Sequence, residues 1–267
     1  MLLIDAHVHI YDCYDLAALF DSAIGNFRAQ AFRMGRADNF SGILLLTERC
    51  GQHWFDKLSG GVPGDGNNPP GIGSWRVAEK PEDDCLVLAG ETGEQLILIA
   101  GRQIVSSEGL EILGLAMAAE FEDGRPASLL IEQVKNAGGI PVIPWAFGKW
   151  SGARGKVLQQ LVSRKTNPDF YLGDNGGRPS MMPCPGLLRM AGNMNWKILS
   201  GTDPLPIPGD ETRVGTFGVY VEEELKPSAP ASRIRALVKD GGRSFGQYGT
   251  LMNVLRFVKN QLALRGV

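Results

Sequence analysis

Short apolar runs alternate with amphipathic segments from one end of the chain to the other. A strand–helix–strand rhythm of this kind leaves few architectures open. A sheet fed by helical crossovers is parallel, and both of its faces must be covered. Strands are predicted at 2–9, 42–46, 86–88, 96–100, 103–105, 111–115, 140–143, 170–172, 197–199 and 215–221. Helices are predicted at 15–31, 126–137, 153–163, 230–239 and 247–264. Pro126 suits a first helical turn, and Gly138-Gly139 ends that helix and feeds Ile140 into a strand. In the last segment Leu251, Val254, Leu255, Val258 and Leu262 fall at helical spacing, so one face is apolar. Periodicity does not decide whether the sheet closes into a barrel or stays open and doubly wound. The length of 267 residues fits one barrel domain of ~250 residues.

Composition removes several classes. A net charge of −2 gives no long-range pull towards nucleic acid or an anionic membrane, so neither is expected as a partner. No apolar run approaches the ~20 residues of a membrane span. The start, Met1-Leu2-Leu3-Ile4-Asp5, lacks the basic region of a signal peptide. Cys13, Cys50, Cys85 and Cys184 form no C-x-x-C pair, so reduced thiols in a cytoplasmic protein are expected. The segment Gly152-Ala-Arg-Gly155-Lys156 lacks phosphate-loop spacing, no G-x-G-x-x-G follows the first strand, and no G-x-S-x-G is present. The Gly- and Pro-rich stretch 60–73 reads as a surface loop over a site, and its Asp65 and Asn67 complete no calcium loop.

The chemistry concentrates at strand ends. In Asp5-Ala-His7-Val-His9 the alternation of a strand puts the two imidazoles on one face, within reach of one metal ion. A hydrogen-bonded pair of core histidines is the other reading. Asp203, in Gly201-Thr-Asp-Pro, follows the apolar pair Ile198-Leu199, where barrel enzymes place ligands and bases; it also suits a simple turn. Glu48 ends the strand Leu44-Leu-Leu-Thr as a ligand or base, with Arg49 beside it as an anion clamp, or the two form a salt-bridged strand end. Trp145 and Lys149 follow another strand and line a pocket or pack its mouth. Asp174, Asn175 and Arg178 stand in a glycine-rich strand end that reads equally as a functional loop or a turn.

These segments together resemble the PHP (polymerase and histidinol phosphatase) superfamily from Ile4 to about Val221. Asp5-Ala-His7-Val-His9 is similar to its first motif, in which both histidines bind metal. Gly201-Thr-Asp203-Pro-Leu205 is similar to its closing Ser-Asp-x-His, with Leu205 at the histidine. Elsewhere the ligands are replaced: Glu48 and Arg49 stand for Asp-His, Gln103 for a bridging Glu, and Glu111 and Trp145 for histidines. The resemblance implies one α/β domain over 1–267 with a distorted (β/α)7 TIM-like barrel. It implies a metal-dependent hydrolase with one divalent ion at most (Zn, Mn or Fe), bound by His7, His9, Asp203 and Glu111. Asp203 and Glu48 are then the catalytic carboxylates. Arg49, Lys149, Arg178 and Trp145 bind a small anionic molecule such as a phosphoester. The alternative is a barrel that has lost catalysis and serves as a binding or scaffold protein. Oligomeric state is not legible in the sequence.

Overall fold

The computed structural model describes residues 1–37, 39–60, 71–163 and 169–264; residues 61–70 of the expected 60–73 loop lie outside them. The strands are β1 (Leu2–Val8), β2 (Ser41–Leu46), β3 (Arg76–Glu82), β4 (Cys85–Ala89), β5 (Gln95–Ile99), β6 (Gly101–Val105), β7 (Glu111–Leu115), β8 (Ile140–Pro144), β9 (Tyr171–Gly173), β10 (Phe217–Val221) and β11 (Gly246–Gly249). The helices are α1 (Leu16–Arg33), α2 (Trp54–Ser59), α3 (Ala127–Asn136), α4 (Gly152–Ser163), α5 (Gly186–Asn193), α6 (Pro230–Lys239) and α7 (Val254–Ala263).

The strands form two sheets, ordered β11-β10-β1-β2-β5-β4-β3 and β6-β7-β8-β9. The expected (β/α)7 barrel is therefore corrected to a mixed α/β fold, in which the described residues form no closed barrel. The reason is local. The links between β3, β4 and β5 and between β6 and β7 are too short for a crossover helix. Strands joined that way fold back as antiparallel hairpins. Turn glycines at positive φ, Gly93 and Gly109, sit in two of these links. Between β5 and β6 only Ala100 intervenes, and there the chain changes sheets. Among the described residues, the ladders β1–β2, β2–β5 and β8–β9 are parallel.

Isolated bridges join the sheets. Glu48 N donates to Gly101 O (3.0 Å) and Gln103 N to Glu48 O (2.8 Å), tying the end of β2 to β6. On the other side, residues 197–199, predicted as a strand, run extended between β9 and β1 without forming a full ladder. Leu199 N donates to Leu172 O, Gly201 N to Asp174 O, Ala6 N to Ser200 O, and Asp203 N to His7 O. This segment carries Asp203 to the end of β1.

Three apolar clusters hold the layers. One lies under α1, whose Leu16, Leu19, Phe20, Ala23, Phe27 and Ala31 repeat at helical spacing; Asp15 caps the helix by accepting from Ala18 N. A second draws Ile4, Ile43, Leu45 and Ile99 of one sheet together with Leu113 and Val142 of the other. The third packs Leu130, Leu158 and Leu188 of α3, α4 and α5 against Ile112, Ile143 and Leu172. No helix among the described residues is long and apolar enough to cross a membrane.

The helix predicted over 247–264 begins later. Residues 246–249 pair with β10 instead, where a Cβ at Gly249 would meet Thr216 O at 2.0 Å. Asn253 then caps α7, accepting from Arg256 N. The apolar stripe read from the sequence is exposed at Leu255, Val258 and Leu262. The opposite side of α7, with Phe257, Asn260 and Gln261, faces the cleft described below.

Candidate metal centre

β1 ends in a register irregularity between Asp5 and Val8. Past it, the two imidazoles converge, with His7 Nε2 and His9 Nε2 3.0 Å apart. Asp203 Oδ1 stands 3.5 Å from each of these nitrogens. Both histidines are buried, and the three donor atoms lie within 4.8 Å of one another. With neutral rings, these atoms form a set of lone-pair donors turned towards a common point. Two imidazoles and a carboxylate facing each other suit a divalent transition metal. His7, His9 and Asp203 thus form a group that fits a metal ion.

Asp5 shares the strand but not the centre. It is buried and accepts from Thr202 N (2.8 Å), Thr202 Oγ1 (2.5 Å), Gly215 N (2.9 Å) and His7 N (3.3 Å). Its carboxylate anchors the Asp203 segment. Asp203 itself has φ +47°, a left-handed conformation that Asp tolerates better than most residues. Asn175 Nδ2 donates to its Oδ2. Burial would raise the Asp203 pKa, but His7, His9, Asn175 and Arg213 outweigh it and hold the group below the usual range, as an anion.

A cleft of about 440 Å³ opens beside the triad. His9, Asp203, Arg49, Gln103, Glu111, Trp145, Lys149, Asn175 and Leu205 are on its walls. Arg49, Gln103, Glu111, Trp145 and Leu205 therefore gather at one place, although they come from different strand ends. Lys149 Nζ pairs with Glu111 Oε1 at 3.2 Å. Arg49 is exposed. Glu111 is not part of the three-residue donor group. Glu48 is engaged elsewhere: its carboxylate accepts from Phe55 N and Arg102 Nη1 (2.9 Å each), and it is not on the cleft wall. Burial raises its pKa, against those two partners. Arg178 forms a two-pronged bond to Asp174 and borders a different cavity, of about 700 Å³.

Sequence reasoning did not single out the grip of Asn175 on Asp203 or the wall contributed by α7. A polar residue just past the short β9 was a signal for the first. No local signal links α7 to a site built on β1.

His9 predicts an acid sensitivity. Burial, helped by His7 and Arg49 and opposed by Asp203, pushes its pKa from 6.5 to about 3. Between these values the unfolded chain binds a proton that the folded chain refuses. This stability is complete above about 6.5 and is lost as pH falls towards 3. Asp5 has the opposite sign: burial raises it from 3.8 to about 6, so its contribution is lost as pH rises through 6. The difference between two proteins isolates His9. The denaturation midpoint of the metal-free protein is expected to fall more steeply from pH 7 to 4 than that of His9→Gln. Parallel curves would contradict this.

No family model matches the chain, and no curated protein matches it. Solved structures do. PsfC from Pseudomonas syringae PB-5123 is 14% identical over 98% of this chain and 97% of its own, with a TM-score of 0.53. The lesion-specific endonuclease PfuEndoQ from Pyrococcus furiosus is 14% identical over 92% of this chain and 58% of its own, with a TM-score of 0.50. Endonuclease Q in complex with a 27-mer duplex bearing an abasic lesion is 14% identical over 97% of this chain and 66% of its own, also with a TM-score of 0.50. The chain thus spans 58% and 66% of the two endonuclease chains. These neighbours have PHP-like folds, so the superfamily resemblance is supported at the level of fold alone. They also overturn the expectation that nucleic acid plays no part. That expectation rested on net charge, which says nothing about a local cleft, and the endonuclease was solved on a duplex.

Proposed function

We propose that this protein is a metal-dependent hydrolase acting on phosphoesters, with nucleic acid included in the substrate class. The observation that carries this reading is the His7, His9 and Asp203 donor group beside an open cleft whose walls hold Arg49 and Lys149. The fold shared with an endonuclease supports it by analogy. A divalent ion held by His7, His9 and Asp203 would supply Lewis acidity and an activated water at neutral pH.

The chain's own groups have separate tasks. His9, with its depressed pKa, stays neutral and free to ligate at neutral pH. Asp203 stays ionised. Arg49 and Lys149 hold the anionic group of the substrate. Glu111, already beside Lys149, acts as a fourth donor or takes a proton. Trp145 forms an apolar wall. The open volume favours this reading over a binding protein whose mouth is filled by Trp145 and Leu205.

The test is turnover of bis(p-nitrophenyl) phosphate, p-nitrophenyl phosphate and a labelled DNA duplex by protein loaded with Zn or Mn. Metal-dependent release from any of them, lost with a chelator, is the expected result. Metal binding without turnover on all three would return the binding-protein reading.

A further inference from the structure

We infer that Asn175 is a positioning residue that fixes how Asp203 presents its carboxylate to the metal; this rests on the metal centre proposed above. Three contacts orient the buried Asn175 amide. Its Oδ1 accepts from Gly177 N at 2.6 Å. Its Nδ2 donates to Trp145 O at 3.3 Å and to Asp203 Oδ2. The amide cannot be reversed, because the opposite orientation would set an oxygen against the Trp145 carbonyl and an NH2 against the Gly177 N–H. The donor on Asp203 is thus set by backbone atoms at the ends of β8 and β9.

This occupies one Asp203 oxygen and leaves the other, Oδ1, equidistant from both imidazoles at 3.5 Å. Asp203 is itself in a left-handed conformation and is joined to β1 through its own N–H, so its side chain needs a lateral hold. Asn175 supplies it. Such outer partners of a ligating carboxylate typically change metal affinity by ~10–100-fold when lost.

The experiment compares Zn and Mn affinity, by competition with a chromophoric chelator, for the parent, Asn175→Ala and Asn175→Asp. Asn175→Asp keeps the shape and the Gly177 contact but replaces the donor with an oxygen facing Asp203. Both variants are expected to bind roughly 10–100-fold more weakly at pH 8. Cobalt(II)-loaded protein reads the ligand geometry: its visible absorption is expected to differ from the parent's in both variants, because Asp203 is no longer held in place. A purely structural role would leave the spectrum of the folded, metal-loaded protein unchanged. Near-UV circular dichroism of the metal-free proteins checks the fold, and if Asn175→Ala does not fold, Asn175→Asp decides. Parent-like affinity in the folded variants, or weaker binding with a parent-like cobalt spectrum, overturns the positioning role while leaving the metal centre intact. A parent that binds neither metal overturns the centre, and this inference with it.

Discussion

Protein carrying His7→Ala and His9→Ala together is expected to emerge from purification without metal and to show no metal-dependent hydrolysis. The two imidazoles supply two of the three donor atoms in the group, and Asp203 alone is a weak, partly exposed carboxylate site. The loss should exceed the ~10–100-fold that removal of an outer-shell partner costs. Elemental analysis of untagged protein, prepared without chelator, reads it directly beside the parent. The variant should still fold. His7 and His9 contact each other and Asp203 rather than anchoring the apolar clusters, and the Asp5 network to Thr202 and Gly215 stays in place. Equal metal in parent and variant would place the ion elsewhere and remove the basis of the proposed function.

Gly201→Val is expected to be strongly destabilising. A Cβ at this position would lie 2.2 Å from His7 N, 2.6 Å from His7 Cβ and 2.8 Å from Asp5 Oδ1. Two of these atoms belong to the body of β1 and the third to a buried carboxylate, so none moves cheaply. The same residue donates to Asp174 O and accepts from Gly176 N. Pushing it outward therefore breaks the link between the two sheets and carries Asp203 away from the histidines. Overpacking of this kind costs up to about 3 kcal/mol, which for a chain of this size lowers the melting temperature by roughly 6–12 °C. The control is Gly192→Ala in α5, whose added methyl meets nothing within 4 Å and should leave melting within a degree or two. A Gly201→Val protein that melts with the parent would mean that the segment carrying Asp203 is not pinned to β1. Partial unfolding confined to that segment would show as loss of metal affinity before loss of global structure.

The convergence of His7 and His9 was legible because a strand's alternation is a local rule that two residues suffice to express. Asp203 was legible because the chain places an acidic residue directly after an apolar run. The strands at 42–46, 96–100, 111–115 and 140–143 were readable for the same reason, and the structure forms strands over these stretches. The topology was not. The links around β3 to β7 are too short for crossover helices and return the chain by hairpins, whereas the alternation reads as helix-fed throughout. The apolar stripe of α7 has a related limit: periodicity shows that a helix has two unlike faces, not which of them meets the protein. Glu48 and Arg178 are polar strand-end residues in sequence just as Arg49 and Lys149 are. Only tertiary packing turned the first pair onto Arg102 and Asp174 and left the second pair on the cleft. Local chemistry was therefore set by the order of residues. The partners each group found were set by long-range contacts, such as Asn175 meeting Asp203, which become neighbours only once both sheets are assembled.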